Sequence, residues 1–354
     1  MKTVICPDSF KGSLTATEAA EAINEGVHAV CPDYDTLMLP LADGGEGTSA
    51  IIASINGATA RTIQTINAIG DNITATYYTS DINGKKTALI DVAAASGLTL
   101  VSPEKRDIMN ATSFGTGIMI KDALDRGFRN FIIGLGGSAT CDAGAGIMKA
   151  LGPDIANMAS VIDVTVLCDV DNPLFGPEGA AYTFAPQKGA SPQQVIALDR
   201  MLRQWNEEAV RRTGREMAMS PGAGAAGGIG AMFMAYFNAK SLSGIEAVLD
   251  LYDFDKAVSD ADLVITGEGR IDSQTLHGKA CMGVLGRCGR YGVPVIALGG
   301  SVEYSDTLNG SGFTAVLPII PSTMTLRQAM TPSTARQNLA ETTKQIMKIF
   351  RSRL

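Results

Sequence analysis

Histidine is almost missing from this chain. His28 and His277 are the only two among 354 residues, and there is one tryptophan. With so few imidazoles and no C-x-x-C pair among six cysteines, a zinc site is not expected. Cys6, Cys31, Cys141, Cys168, Cys281 and Cys288 show no paired spacing, and several stand in apolar surroundings, as reduced, packed thiols do. Charge is also sparse: 18% of residues are charged, and the formal net charge is -7. That balance argues against a nucleic-acid or anionic-membrane partner. No run approaches the roughly 18 unbroken apolar residues of a membrane span, and the opening Val4-Ile5-Cys6 is too short for a signal peptide. A cytoplasmic protein is expected. A Walker A loop is missing as well: Gly278-Lys279 comes close, but Ser273 stands where the first glycine belongs.

What is present is apolar and regularly punctuated. Hydrophobic residues make up 45% of a chain longer than the ~250–300 residues at which single cores stop growing, so two domains are expected. Ten runs read as strands: 2–6, 35–42, 60–66, 72–80, 86–93, 130–136, 163–170, 261–267, 294–299 and 313–320. Helix signals lie between many of them. Thr15-Ala16-Thr17-Glu18 matches a capping box, Ser191-Pro192-Gln193-Gln194 opens a long helix ending near Gly214, and Thr331-Pro332 opens the last helix. Residues 60–93 instead hold three strands joined by short turns, a meander. The pattern predicts an α/β protein of two domains. Segments 1–59 and 256–354 form a doubly wound parallel-sheet domain of Rossmann or flavodoxin type, and 60–255 an inserted mixed-sheet α/β domain. The cleft between them is the default site.

Polar clusters recur at the carboxyl ends of these strands, where open α/β sheets bind ligands. After the first strand come Asp8, Ser9, Lys11 and Ser13. The second ends in Asp43-Gly44-Gly45-Glu46-Gly47, where two glycines behind Asp43 favour a site, while capping explains Glu46 equally well. Gly134-Leu135-Gly136-Gly137-Ser138-Ala139-Thr140 is a glycine loop leading towards a helix at Ile147, whose free amides and dipole are expected to attract phosphate. Gly134 to Ala139 and Gly222 to Gly227 each match the relaxed dinucleotide fingerprint, weakly in both cases. Asp169 ends the run Val164–Cys168, whereas Asp171-Asn172-Pro173 is explained as a turn. Glu268, Arg270 and Asp272 follow the strand ending at Gly267, with His277 and Lys279 beyond; His277 reads as a structural hydrogen bonder.

Glycine loops for phosphate, carboxylates for Mg²⁺ and a base, and Lys11, Lys188, Arg270 and Lys279 as cations are the parts of phosphoryl transfer from ATP. Gly136, Gly137, Ser138 and Thr140 are the expected nucleotide contacts. Asp43, Glu268 and Asp272 are the expected metal ligands, and Ser9, Ser13 and Lys279 the substrate contacts. Asp169 is the expected general base, with Asp8 its rival and Lys11 and Arg270 as electrostatic stabilisers. Two other readings use the same loops. A nucleotide-dependent dehydrogenase of a small hydroxy acid lacks a suitable acid at a second strand end, since Asp154 and Asp163 fit poorly. An anion-binding sensor is poorly served by so many carboxylates.

The chain resembles the bacterial glycerate kinases of the type I family. The blocks that carry the likeness are PDSFKGS at 7–13, ADGGEGT at 42–48, AAASGL at 93–98, GGSAT at 136–140, CDVDNPL at 168–174, PQKGA at 186–190, GAGAAGG at 222–228, ITGEGRID at 265–272 and TLHGK at 275–279. They run from end to end in the family's order. The resemblance implies a two-domain fold with an inserted domain, ATP and Mg²⁺ as cosubstrates, and D-glycerate as acceptor. It implies 2-phosphoglycerate as the usual product, with 3-phosphoglycerate the alternative. Two departures stand out. Pro153 to Ile162 is shorter than the usual excursion there, and Cys141-Asp142-Ala143 replaces the usual Asn-Asp-Gly, which is expected to alter the loop slightly.

Overall fold

The computed structural model describes residues 1–351 apart from 83, 154–157, 274 and 277–279. His277, Lys279 and residues 154–157 of the shortened 153–162 link therefore lie outside the described residues. The strands in chain order are β1 (Lys2–Pro7), β2 (Asp35–Met38), β3 (Thr59–Ile66), β4 (Asn72–Ile82), β5 (Lys85–Asp91) and β6 (Asn130–Gly134). They continue as β7 (Asp163–Leu167), β8 (Lys240–Leu242), β9 (Leu263–Ile271), β10 (Val295–Val302) and β11 (Ala315–Pro318). The chain divides into two compact units, Met1–Asp43 with Ile245–Leu354, and Gly44–Gly244.

The first unit is a five-stranded sheet in the order β11-β10-β9-β1-β2, every neighbouring pair parallel. Counted within the unit, the strands run second, first, third, fourth, fifth, the doubly wound order of flavodoxin-like sheets. The inner strand β1 is buried on both faces from Thr3 to Pro7, as a parallel strand covered by helices must be. The Ala16–His28 helix begins at Thr15, whose hydroxyl and the Glu18 carboxylate complete the capping box. Ile23 and Val27 of that helix pack with Ile5, Ile265 and Leu298 from the sheet and Leu339 from the Pro332–Arg351 helix.

The second unit holds a six-stranded sheet ordered β3-β4-β5-β6-β7-β8. The expected meander is present as the antiparallel β3-β4-β5, and β5 to β8 are parallel. The Thr48–Ile55 helix packs on β4, β5 and β6 and lies with this unit. Tyr77, Ile90, Phe131, Ile133, Met232 and Phe233 form its core. The Pro192–Thr213 helix begins at a Ser191 capping box with proline in its first turn and ends at left-handed Gly214. All six cysteines are free thiols, and among the described residues no helix is long and apolar enough to cross a membrane.

Candidate active site

In the first unit the strand order reverses between β1 and β9, the crevice position at which doubly wound sheets take their ligands. The parallel register pairs Pro7 with Gly267, so the next residues along, Asp8 just past the end of β1 and Glu268 still within β9, come out side by side. The Asp8 amide donates to the Gly267 carbonyl at 2.8 Å, which fixes that side chain at the switch point. Beyond it Phe10 and Leu14 exchange two backbone hydrogen bonds, making a tight loop that carries Lys11 into solvent. Leu39 and Leu41 continue the pairing of β2 with β1 and deliver Asp43 to the same end. Lys11 Nζ stands 3.7 Å from Asp43 Oδ2.

This is a crowded set of charges. The Asp8 carboxyl is pushed well above the usual carboxylate range, first by burial and then by the Asp43 carboxylate, with Glu268 adding to it. The Ser9 amide, donating to Asp8 Oδ1 at 2.6 Å, and the Lys11 ammonium pull the other way. Lys11 is raised in turn, chiefly by Asp43. Ser13 Oγ is buried and meets no hydrogen-bond partner among the described residues. Arg270, on the last turns of β9, reaches Asp272 Oδ2 at 2.9 Å and Glu303 Oε2 at 3.0 Å. Asp272 is itself buried, and its amide donates to Thr275 Oγ1 at 3.2 Å.

The donor set suits Mg²⁺. Asp43 and Glu268 raise the proton affinity of the buried Asp8, and that is the like-charge repulsion a hard cation relieves. Among the described residues no three His, Cys, Asp or Glu side chains make a ready metal cage. Mg²⁺ needs none, since it keeps several waters and takes one or two carboxylates together with substrate phosphates.

The second unit carries the glycine loop. Gly136 donates to the Gly44 carbonyl at 2.9 Å, and a Cβ there would lie 2.5 Å from Gly45 Cα, so no larger residue fits. Leu98 donates to the Gly137 carbonyl at 2.9 Å and Ala139 to Ser96 at 2.8 Å, pinning the loop on both sides of Ser138. Thr140 Oγ1 is buried without a partner among the described residues. Lys188 Nζ, also buried, donates to Ser138 Oγ at 2.8 Å and to the Thr140 carbonyl at 2.7 Å.

The helix start after this loop is not open in the way the sequence suggests. In front of the Ala145–Leu151 helix, Asp142 accepts from the amides of Gly144 and Gly146, both at 3.1 Å, and from Ser113 N at 2.9 Å. The amides expected to attract phosphate are taken by the chain's own carboxylate. Asp91 does the same at the Thr48–Ile55 helix, accepting from Gly47 N and Ser49 N, each at 3.0 Å. Burial pushes the Asp91 carboxyl up to about 7 against those bonds.

Ala143 has a left-handed φ of 48°, a conformation open to glycine without cost and strained for alanine. The Gly222 to Gly228 run is likewise a packing device. Ala226, Gly227 and Gly228 are all left-handed, and a Cβ on Gly227 would lie 2.1 Å from the Thr140 carbonyl oxygen. Its fit to a dinucleotide fingerprint is therefore incidental.

Asp169, just past the end of β7, is half-buried. Its Oδ1 accepts from Ser243 Oγ at 2.6 Å and Gly244 N at 2.8 Å, at the start of the Gly244–Leu251 helix. Thus Asp8, Lys11, Asp43 and Glu268 gather in the first unit, with Ser9 and Ser13 on the same loop. Arg270 and Asp272 pair with each other there. Gly136, Gly137, Ser138, Thr140 and Asp169 belong to the second unit. The sequence reading passed over Asp91, although it ends the buried run Ala88-Leu89-Ile90 by the same strand-end rule that found Asp8. Glu303 had no signal at all, being one exposed acid in a polar stretch.

Comparison with known proteins agrees along the whole chain. The model of the glycerate kinase family matches residues 3–160 and 153–351. The glycerate 2-kinase of Escherichia coli (strain K12) is 42% identical over an alignment covering 93% of each chain. The glycerate kinase of Bacillus subtilis (strain 168) is also 42% identical, again over 93% of each. The crystal structure of a protein described as glycerate kinase 2 from Salmonella typhimurium LT2 superposes with a TM-score of 0.79 at 39% identity, covering 99% of this chain and 98% of that one.

Proposed function

The chain belongs to the glycerate kinase family, and from that premise we propose that it transfers the terminal phosphoryl group of ATP to the 2-hydroxyl of D-glycerate in the cytoplasm. Mg²⁺ is the proposed metal and 2-phosphoglycerate the product. The observation that carries this reading is the cluster of Asp8, Lys11, Asp43 and Glu268 at the β1/β9 switch point. A phosphotransferase needs a cation for its anionic substrates and carboxylates for metal and proton, and they stand there together. The name of the E. coli relative supports the 2-position.

In this reading the ATP phosphates lie against Gly136, Gly137, Ser138 and Thr140, whose buried hydroxyl supplies a hydrogen bond. Mg²⁺, held by Asp43, Glu268 and Asp272, would neutralise the phosphate oxygens as charge develops. Lys11 contacts a phosphate or the glycerate carboxylate as a mobile point charge. Ser9 and Ser13 hold the acceptor, and Arg270, fixed between Asp272 and Glu303, adds positive charge. Lys279 enters as a substrate contact on its motif alone. The acceptor hydroxyl gives its proton to Asp169, which Ser243 and Gly244 hold in orientation. The hydroxyl oxygen bonds to phosphorus as the bond from phosphorus to ADP breaks. Asp8 is the competing base.

A coupled assay tests the proposal: ADP release is expected only with D-glycerate and Mg²⁺ both present, and phosphorus NMR is expected to show 2-phosphoglycerate. ADP release without glycerate would overturn the function, and a 3-phosphoglycerate product the regiochemistry. For the base, Asp169→Asn is expected to depress kcat strongly with ATP binding intact, and Asp171→Asn to be mild. The reverse ranking, or loss of turnover in Asp8→Asn alone, moves the base.

A further inference from the structure

Lys188, a buried cation of the second unit, is in no ion pair among the described residues. Lys188 ends the short Pro186–Lys188 turn, which left-handed Gly189 closes and which Arg106 Nη1 braces by donating to the Gln187 carbonyl at 3.2 Å. Both acceptors of its Nζ are uncharged, a hydroxyl and a carbonyl, and no ion pair among the described residues includes it. An ammonium taken out of water with no carboxylate in contact is costly, since Asp142 and Cys141 only partly offset its burial, and an apolar side chain would fill the same space at less cost. Packing alone therefore does not account for a lysine here. A ligand anion arriving at the loop would supply the missing charge, and in surroundings of low polarity that attraction is strong.

We propose that Lys188 is a positioning residue for the nucleotide, tying Ser138 Oγ and the Thr140 carbonyl into one turn so that the loop meets the ATP phosphates already shaped and positively charged from behind. The inference rests on the assignment of residues 136–140 to ATP. Behind the loop lies a small cavity lined by Arg106, Asp107, Ala139 and Lys188. Arg106 Nε is buried without a partner among the described residues, so a second cation backs the same turn. The groups facing Lys188 are Cys141 and Asp142 from the loop side and Arg106 and Asp107 across the cavity. Burial lowers its ammonium to about 8, with Cys141 and Asp142 opposing. The charge is present below that pH and lost above it.

Calorimetric titration of the full-length protein with ATP tests this, alongside D-glycerate KM and thermal stability. Lys188→Met is expected to weaken ATP binding by on the order of 10-fold or more, with D-glycerate KM little changed. It should also remove the loss of ATP affinity that is expected of the native protein above about pH 8. Lys188→Arg should recover part of the affinity and shift that loss to higher pH. Ser138→Ala, which removes one half of the tether together with a hydroxyl placed against the phosphates, should weaken ATP in the same direction. Native ATP affinity in a stably folded Lys188→Met protein overturns the proposal. So does an equal loss for both ligands that tracks a drop in Tm and is not recovered by arginine. Gly137→Val separates the two layers: if it weakens ATP while Lys188→Met does not, only the role of Lys188 falls. If neither variant weakens ATP, the loop is not the nucleotide site and both assignments fall.

Discussion

Aspartates end strands in both units, yet they live in opposite surroundings. In the first unit Asp8 and Asp43 crowd each other at the β1/β9 switch point, and an exposed lysine is their nearby cation. In the second, Asp91 and Asp142 each collect two or more backbone amides at a helix start. The same carboxylate is left in tension where other carboxylates crowd it and becomes a structural clasp where several amides collect on it. Crowded carboxylates of the first kind are candidates for reactive chemistry, and those that clasp several amides, as Asp142 does, serve stability.

That contrast can be broken by mutation. The largest effect is expected from Lys11→Met, which should cost about 10²-fold or more in kcat/KM, the scale of losing one electrostatic stabiliser, with Tm unchanged. Near-native kinetics in a folded variant would show that the exposed lysine is not part of the reaction. Asp142→Ala should do the opposite: stability falls by ~2 kcal/mol because buried donors lose their acceptor, and urea unfolding is the measurement. If the loss in kcat/KM is larger than the loss of stability can explain, Asp142 is more than a clasp.

Titration sharpens the same comparison. Asp8 and Asp91 both bind protons more tightly folded than unfolded. Their contribution is thus complete below about pH 4, the unfolded carboxylate range, and is lost as pH rises through their folded values. The ligand-free protein should lose stability from about pH 4 towards 8. Asp8→Asn should flatten part of that slope, and so should Mg²⁺; denaturant midpoints measured across pH would show a flat native profile if the crowding is not real. The smallest effect is expected at Ala143, whose left-handed backbone costs about 1–2 kcal/mol. Glycine returns some of that as lost chain entropy, so Ala143→Gly should stabilise by about 1 kcal/mol or less, read as a small rise in Tm.

Much of this was legible because it is local. The capping boxes at Thr15 and Ser191, the meander and the apolar runs of β1, β6 and β9 each depend on residues within a few positions of one another. Asp8, Lys11 and Asp43 could be named because strand ends are visible as changes from apolar to polar. What escaped depends on distant partners. Asp91 is 44 residues from Gly47, and Lys188 is 50 from Ser138, so neither clasp nor tether has a sequence spacing to betray it. β8 escaped for another reason: Lys240-Ser241-Leu242 is three exposed residues with no alternation, paired only with β7.

The register of β1 has a consequence for how the protein is made. Its neighbour β9 pairs through residues 260 positions later in the chain, Thr3 with Leu263. At about 5–20 residues per second of synthesis, this strand, buried on both faces once folded, leaves the ribosome roughly 13–50 s before its partner. Every strand of the second unit, contiguous from Gly44 to Gly244, emerges within that interval. The last-made third of the protein thus closes the sheet that the first-made residues began, and a chain truncated before residue 263 leaves one edge of β1 unpaired and open to aggregation.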